Sequence, residues 1–373
     1  MHVDLITEHP REALPAALSA MAARPDVHLV MLLGCDADGH SPESADAALR
    51  ACPKPIVGGV FPQLLHGADR LESGLVVAGL RRPARVATVS ALSSVRSDEL
   101  ADTVEPTAEG GAPGDTVVAF ADGLSSGLAG LVDGLFDVHG LGVHYVGGGA
   151  GSLSLKPSAC VFTRDGLLAD AAVVARLAVQ AGLGVRHGWQ PISDAYRVTE
   201  SRRNVIETLD WRPALDVYRE VLERHGGGPV DGPDFFEVSK AFPFGIERVG
   251  GELVVRDPIA RDGHRLVCVG EVPQGAFVRI LQGRPQALVE AAAAARRDAQ
   301  QALPPGAGVR CALVIDCISR VLFLGEGFSD ELRAISRPGE RTIGALTLGE
   351  IANRGRSCVE FHNKTAVVAL LAD

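Results

Sequence analysis

One arrangement comes three times along the chain and restricts its fold more than any other feature. A short apolar strand ends near a polar residue, a helical segment follows, a strand carrying glycine comes next, and a further strand returns. The first set is HLVMLLGCDADG (28–39), SPESADAALRAC (41–52), PIVGGVFP (55–62) and SGLVVAGL (73–80). The second is DTVVAFADG (115–123), LSSGLAGLVDGLFDVHG (124–140), VHYVGGGAGS (143–152) and SACVFTRDGLLADAAVVARL (158–177), the last read as a hairpin turning at Asp165-Gly166. The third is VRCALVIDC (309–317), GEGFSDELRAI (325–335), RTIGALTLGEIA (341–352) and CVEFHNKTAVVALL (358–371). Each set predicts a βαβ crossover followed by an antiparallel strand. The expected fold class is therefore α/β, with repeated strand-helix-strand-strand units forming mixed sheets and helices packed on them.

Between the second and third sets the texture changes. RHGWQPIS (186–193) is the expected boundary between two similar-sized domains, 1–190 and 191–373. After a helix in WRPALDVYREVLERHGG (211–227), short strands dominate: FPFGIE, ELVVRD, HRLVCVGEV and AFVRILQ, broken by Gly and Pro turns. The alanine-rich stretch 287–301 carries Glu290, Arg296, Arg297 and Asp298, so it reads as a soluble amphipathic helix.

Composition removes several function classes. The formal net charge is −10 with no basic run, which disfavours a nucleic-acid surface or a polybasic membrane patch. No apolar run approaches a membrane span, and MHVDLITEHP does not read as a signal peptide. The seven cysteines are scattered and make no C-x-x-C pair, so neither a disulfide framework nor a structural zinc site is expected, and a cytoplasmic setting fits. No cofactor is expected.

Candidate chemistry concentrates at strand ends. Gly147, Gly148 and Gly149 permit close backbone approach and leave amides open to an anion. Asp122 and Asp316 close central strands, the usual place for ligand sites in such sheets, although capping a helix is an equally good reading of each. Arg320, in CISR (317–320), offers a guanidinium matched to a carboxylate. Cys317 beside it reads either as a small buried residue or as a thiol activated by Arg320. Glu350, late in GALTLGEI, suits a ligand ammonium, and Asn363 a ligand carboxylate or amide. His362 and Asn363 lie on opposite faces of a regular strand, so only a bulge brings both into one pocket. Glu350, Glu360 and His362 lack the local spacing of a metal site, and no metal is expected.

The competitor is GLSSG (123–127), a G-x-S-x-G placed between strand and helix, which would make Ser125 a nucleophile with a later Asp or Glu and a His. The analogous loops CDADGHSP and DCISRVLF lack the motif and no HGGG-like segment lies upstream, which favours a helix-capping serine.

Taken together, VHYVGGGAGS with its hairpin, HGWQPI (187–192), VTESRRNVIETLDWRPALDVY (198–218), GELVVRDP (251–258), VPQGAFVRI (272–280), CISR, GALTLGEI (344–351) and EFHNKT (360–365) resemble the FIST family, N-terminal and C-terminal halves in order. The resemblance implies a sensory or signalling domain that binds small ligands, with amino acids or their derivatives the usual suggestion. Members of the family that carry further domains differ from this chain, in which no room is left for an output domain, and a signalling protein is one candidate partner. The expectation is thus a cytoplasmic sensory protein that binds a small polar ligand around Asp122, Gly147, Gly148, Gly149, Asp316, Cys317, Arg320, Glu350, His362 and Asn363. A serine or thiol enzyme and a protein-interaction module are the alternatives.

Overall fold

The computed structural model of the chain describes residues 1–248, 253–355 and 357–372. Their strands form three sheets. The first runs His2–Ile6, Leu75–Leu80, Leu29–Cys35, Ile56–Phe61, Val161–Thr163, Gly166–Leu168. The second and largest runs Glu360–His362, Glu350–Ala352, His144–Ala150, Asp115–Asp122, Ala172–Arg186, Ala366–Ala372, Val309–Cys317, Thr342–Thr347, Gln63–His66, Asp69–Leu71, with Ala84–Val89 added on Ala172–Arg186. The third gathers the short strands of the middle, from Gln190–Pro191 to Phe277–Gln282, and is antiparallel at each described pairing. The fold is therefore α/β, as the alternation of apolar strands and amphipathic helices requires.

The same pairing occurs at three places. Leu29–Cys35 is parallel to Ile56–Phe61 and antiparallel to Leu75–Leu80. Asp115–Asp122 is parallel to His144–Ala150 and antiparallel to Ala172–Arg186. Val309–Cys317 is parallel to Thr342–Thr347 and antiparallel to Ala366–Ala372. In each parallel pair one glycine lies against its register partner. A Cβ on Gly147 would fall 1.7 Å from the Ala119 carbonyl oxygen, and one on Gly58 or Gly344 would fall 1.9 Å from that of Leu32 or Val314. No side chain fits at such a separation.

The large sheet crosses the middle of the chain. Ala172–Arg186 pairs along one stretch with Asp115–Asp122 and along another with the C-terminal strand Ala366–Ala372. Both are wholly buried, and the 18-residue helix Pro285–Ala302 packs over Ala172–Arg186 and Ala366–Ala372, its Ala292, Ala295 and Ala299 in the core. Small side chains there let the helix lie close to the sheet. Gly184 meets the Ala295 carbonyl where a Cβ would be 1.8 Å away. Among the described residues no helix is long and apolar enough to cross a membrane.

Three local expectations are revised. The turn after Val161–Thr163 is made by Arg164 and Asp165, because Thr163 is register partner to Gly166. The stretch read as one strand over 341–352 divides into Thr342–Thr347 and Glu350–Ala352, broken at Gly349 with φ +107°. The stretch 358–371 divides into Glu360–His362 and Ala366–Ala372, broken at Lys364 with φ +54°. Each break lets the chain leave one set of partners for another. The small hairpin Glu350–Ala352 with Glu360–His362 is thereby carried to the outer side of the glycine strand.

Candidate functional site

The strand breaks gather the sequence-nominated residues into one buried layer. Gly148 is the register partner of Glu350 and Gly147 that of Ile351. The glycine amides serve the sheet: Gly149 donates to the Gly349 carbonyl at 2.8 Å, and Gly151 to that of Val60 at 2.8 Å. A Cβ on Gly148 would strike the Thr347 hydroxyl group at 3.0 Å, and one on Gly149 the Gly123 Cα at 2.8 Å. Asp122 accepts from the amides of Leu124 at 3.0 Å and Asp170 at 2.9 Å, so it fixes the turn after its strand.

Arg320 is fully buried and all five of its N–H groups are engaged. Nε and Nη2 donate to Glu331 at 2.8 and 2.9 Å, in a two-point pairing. Nη1 donates to the carbonyls of His187 at 2.6 Å and Lys364 at 3.1 Å, and Nη2 also to that of Leu288 at 3.0 Å. Asp316 sits 3.2 Å from Nε, outside hydrogen-bond geometry, with both carboxylate oxygens buried. Burial, then the like charge of Glu331, pushes its pKa well up, against the opposing charge of Arg320. The guanidinium thus joins helix to sheet, with Glu331 as a partner supplied by the helix Phe328–Ile335.

Glu350 accepts from the Thr347 hydroxyl at 3.0 Å and the Thr365 amide at 3.2 Å, with the Cys317 thiol beside it. Burial raises its pKa to about 8 against the donors that favour the carboxylate. The same burial, with the charge of Glu350, drives the Cys317 thiol well up, opposite to what a thiolate nucleophile needs. His362 donates from Nε2 to the Ala352 carbonyl, 3.3 Å away, and burial pulls its pKa down to about 3. Asn363 accepts from the Asp257 amide at 3.3 Å. Both are buried, and the strand ends at His362, so Asn363 lies in the bend before Lys364 and is not bound by the alternation of faces. Lys364 itself pairs with Asp257 at 3.0 Å and lies 4.9 Å from the centre of the Trp189 ring.

In front of this layer opens a cavity of about 450 Å³. One wall is the loop after Asp115–Asp122 and the start of the helix Leu128–His139, with Gly123, Ser125, Leu128 and Val132. The opposite wall comes from the third sheet, with Arg203, Arg248, Arg256, Ile259 and Glu271. The hairpin residues Glu360 and Phe361 close the back. None of the ten nominated ligand residues lines the cavity; their neighbours Gly123 and Phe361 reach the space itself. Ser125 also lines it, but its hydroxyl donates to Asp170 at 2.6 Å and accepts from the Gly127 amide. Among the described residues no imidazole contacts it.

The cavity arginines escaped sequence reading because they lie in three different turns and strands with no shared spacing. Arg256 did stand inside GELVVRDP and Arg203 inside VTESRRNVIETLDWRPALDVY, two of the segments that carried the family likeness, and that was the available signal.

Two family descriptions match the chain. The FIST N domain matches residues 28–212 and the FIST C domain residues 214–353. No curated protein matches it. The two matches adjoin at the start of the helix Ala214–Arg224 and together take in both walls of the cavity. The chain belongs to the FIST family, whose domains are sensory modules that bind small ligands in signal transduction.

Proposed function

We propose that the chain is a cytoplasmic sensory protein that binds a small zwitterion of the amino-acid class in the cavity between the FIST N and FIST C regions. The cavity itself carries this reading. It lies just beyond the carboxyl end of Asp115–Asp122, where α/β sheets place their ligands, and its size suits a small metabolite. Leu128, Val132, Ile259 and Phe361 give it an apolar lining, which Arg203, Arg248 and Arg256 share with Asp133, Glu271 and Glu360. A ligand carrying both charges meets partners for each. The nominated residues Asp122, Gly147, Gly148, Gly149, Asp316, Cys317, Arg320, Glu350, His362 and Asn363 serve the site as its rigid backing.

The cytoplasmic setting is supported by seven free cysteines, six of them buried. The shared close approaches at Gly58, Gly147 and Gly344 support descent of the three pairings from one repeated unit. A ligand touching both walls would favour one disposition of them, which a partner protein reads.

Thermal shift with a panel of amino acids at about 10 mM tests the reading. At least one should raise the unfolding midpoint by ~2 °C or more, and Ala129→Trp, which fills the cavity, should abolish the shift. No shift with any amino acid, or an equal shift in Ala129→Trp, removes the proposal.

A further inference from the structure

We infer that Arg256 is the anion anchor of the cavity, taking the carboxylate of the ligand and making a free carboxylate obligatory for binding; this rests on the cavity being the ligand site. Arg256 ends the strand Leu253–Arg256 and is only 5% exposed. Its Nε donates to the Glu271 carbonyl at 2.8 Å, and its Nη1 to those of Val255 at 3.0 Å and Phe361 at 2.8 Å. These three bonds fix the plane of the guanidinium. Nη2, with two N–H groups, has no partner among the described residues, and the residue lines the cavity.

No carboxylate pairs with Arg256 among the described residues. Glu360, the nearest acid in effect, is held by Arg248 through bonds of 2.7 and 3.0 Å. A cation this deeply buried without a counter-ion is costly. Burial accordingly draws its pKa down to about 10. Arg320, buried to the same degree, makes the contrast: Glu331 meets it at two points and its remaining N–H groups are filled. Arg256 has the same rigid mounting and lacks the acid.

The opposite wall points the same way. The 12-residue helix Leu128–His139 begins at Gly127 with no side-chain cap and no acidic residue in its first turn, and Leu128 and Ala129 line the cavity. Its free N–H groups and dipole favour an anion there. Asp133, one turn on, has its pKa raised by burial and by the like charges of Asp137 and Glu360, so a ligand ammonium beside it is favoured. With Asp133, Glu271 and Glu360 sharing the lining, a monoanionic carboxylate is favoured over a dianionic phosphate.

Isothermal titration of the full chain tests this, with the best amino acid from the panel, its α-amide and inorganic phosphate as probes. The acid should bind about 100-fold more tightly than the amide, phosphate should compete poorly, and Arg256→Lys should weaken binding of the acid more than that of the amide. Circular dichroism of the variant checks that it folds. Should it not fold, the acid–amide ratio of the wild type decides. Equal binding of acid and amide, or stronger binding of phosphate, overturns the carboxylate anchor while leaving the cavity as the site. Equal weakening of acid and amide in Arg256→Lys overturns the role of Arg256. Binding by none of the amino acids overturns both the anchor and the reading beneath it.

Discussion

Gly147 shows how far a single residue is determined by its neighbours. Its place at the end of a strand, in a run of three glycines, was visible in the sequence, and so was the need for close backbone approach. What approaches was not visible: the Ala119 carbonyl on one side and the hairpin of Ile351 on the other. The amides expected to be open are spent on Gly349 and its neighbours, because the strands at either hand arrive from distant parts of the chain. Gly147→Ala should therefore cost about 3 kcal/mol in urea unfolding, since backbone on both sides cannot give way. A loss under about 0.5 kcal/mol would show the approach to be looser. Glu350 makes a second prediction. Its folded pKa of about 8 lies above its ordinary value, so the folded state holds a proton that the unfolded state releases. The stability it contributes is whole at pH below about 4.5 and is lost as pH rises towards 8, at up to about 1.4 kcal/mol per pH unit. Unfolding free energies measured from pH 5 to 8 should fall more steeply in the wild type than in Glu350→Gln. Parallel slopes would mean that Glu350 is ionised in the fold.

At the scale of elements, the α/β mixture of strands and helices was legible because each pattern has its own period. The two mid-strand breaks were not. Gly349 and Lys364 interrupt segments whose apolar pattern runs on, and only tertiary pairing decides that Glu350–Ala352 and Glu360–His362 leave the main sheet direction to form a hairpin. Lys364 holds its unusual backbone by anchoring its ammonium to Asp257 and the Lys240 carbonyl at 3.0 Å each. Its own carbonyl receives Arg320 and the Trp189 indole. Lys364→Met should cost about 3 kcal/mol, because it leaves Asp257 buried without its cation, and adding Asp257→Asn should recover part of that loss. Strict additivity of the two changes would contradict the pairing.

For the whole molecule, the sequence marked a change of texture near residue 190 but not that the large sheet continues past it. Ala366–Ala372 lies between Ala172–Arg186 and Val309–Cys317, a pairing that no local pattern encodes. The cavity follows from that closure, since its walls are brought together only when the C-terminal segments return to the glycine strand. Its arginines were unreadable in advance for the same reason. The most direct test is hydrogen–deuterium exchange of the intact chain with and without a saturating amino acid that binds. Slowed exchange is predicted in residues 123–133 and 268–273 together, on both walls at once. Protection confined to one wall, or found instead around the exposed Trp211, would contradict a ligand held between them.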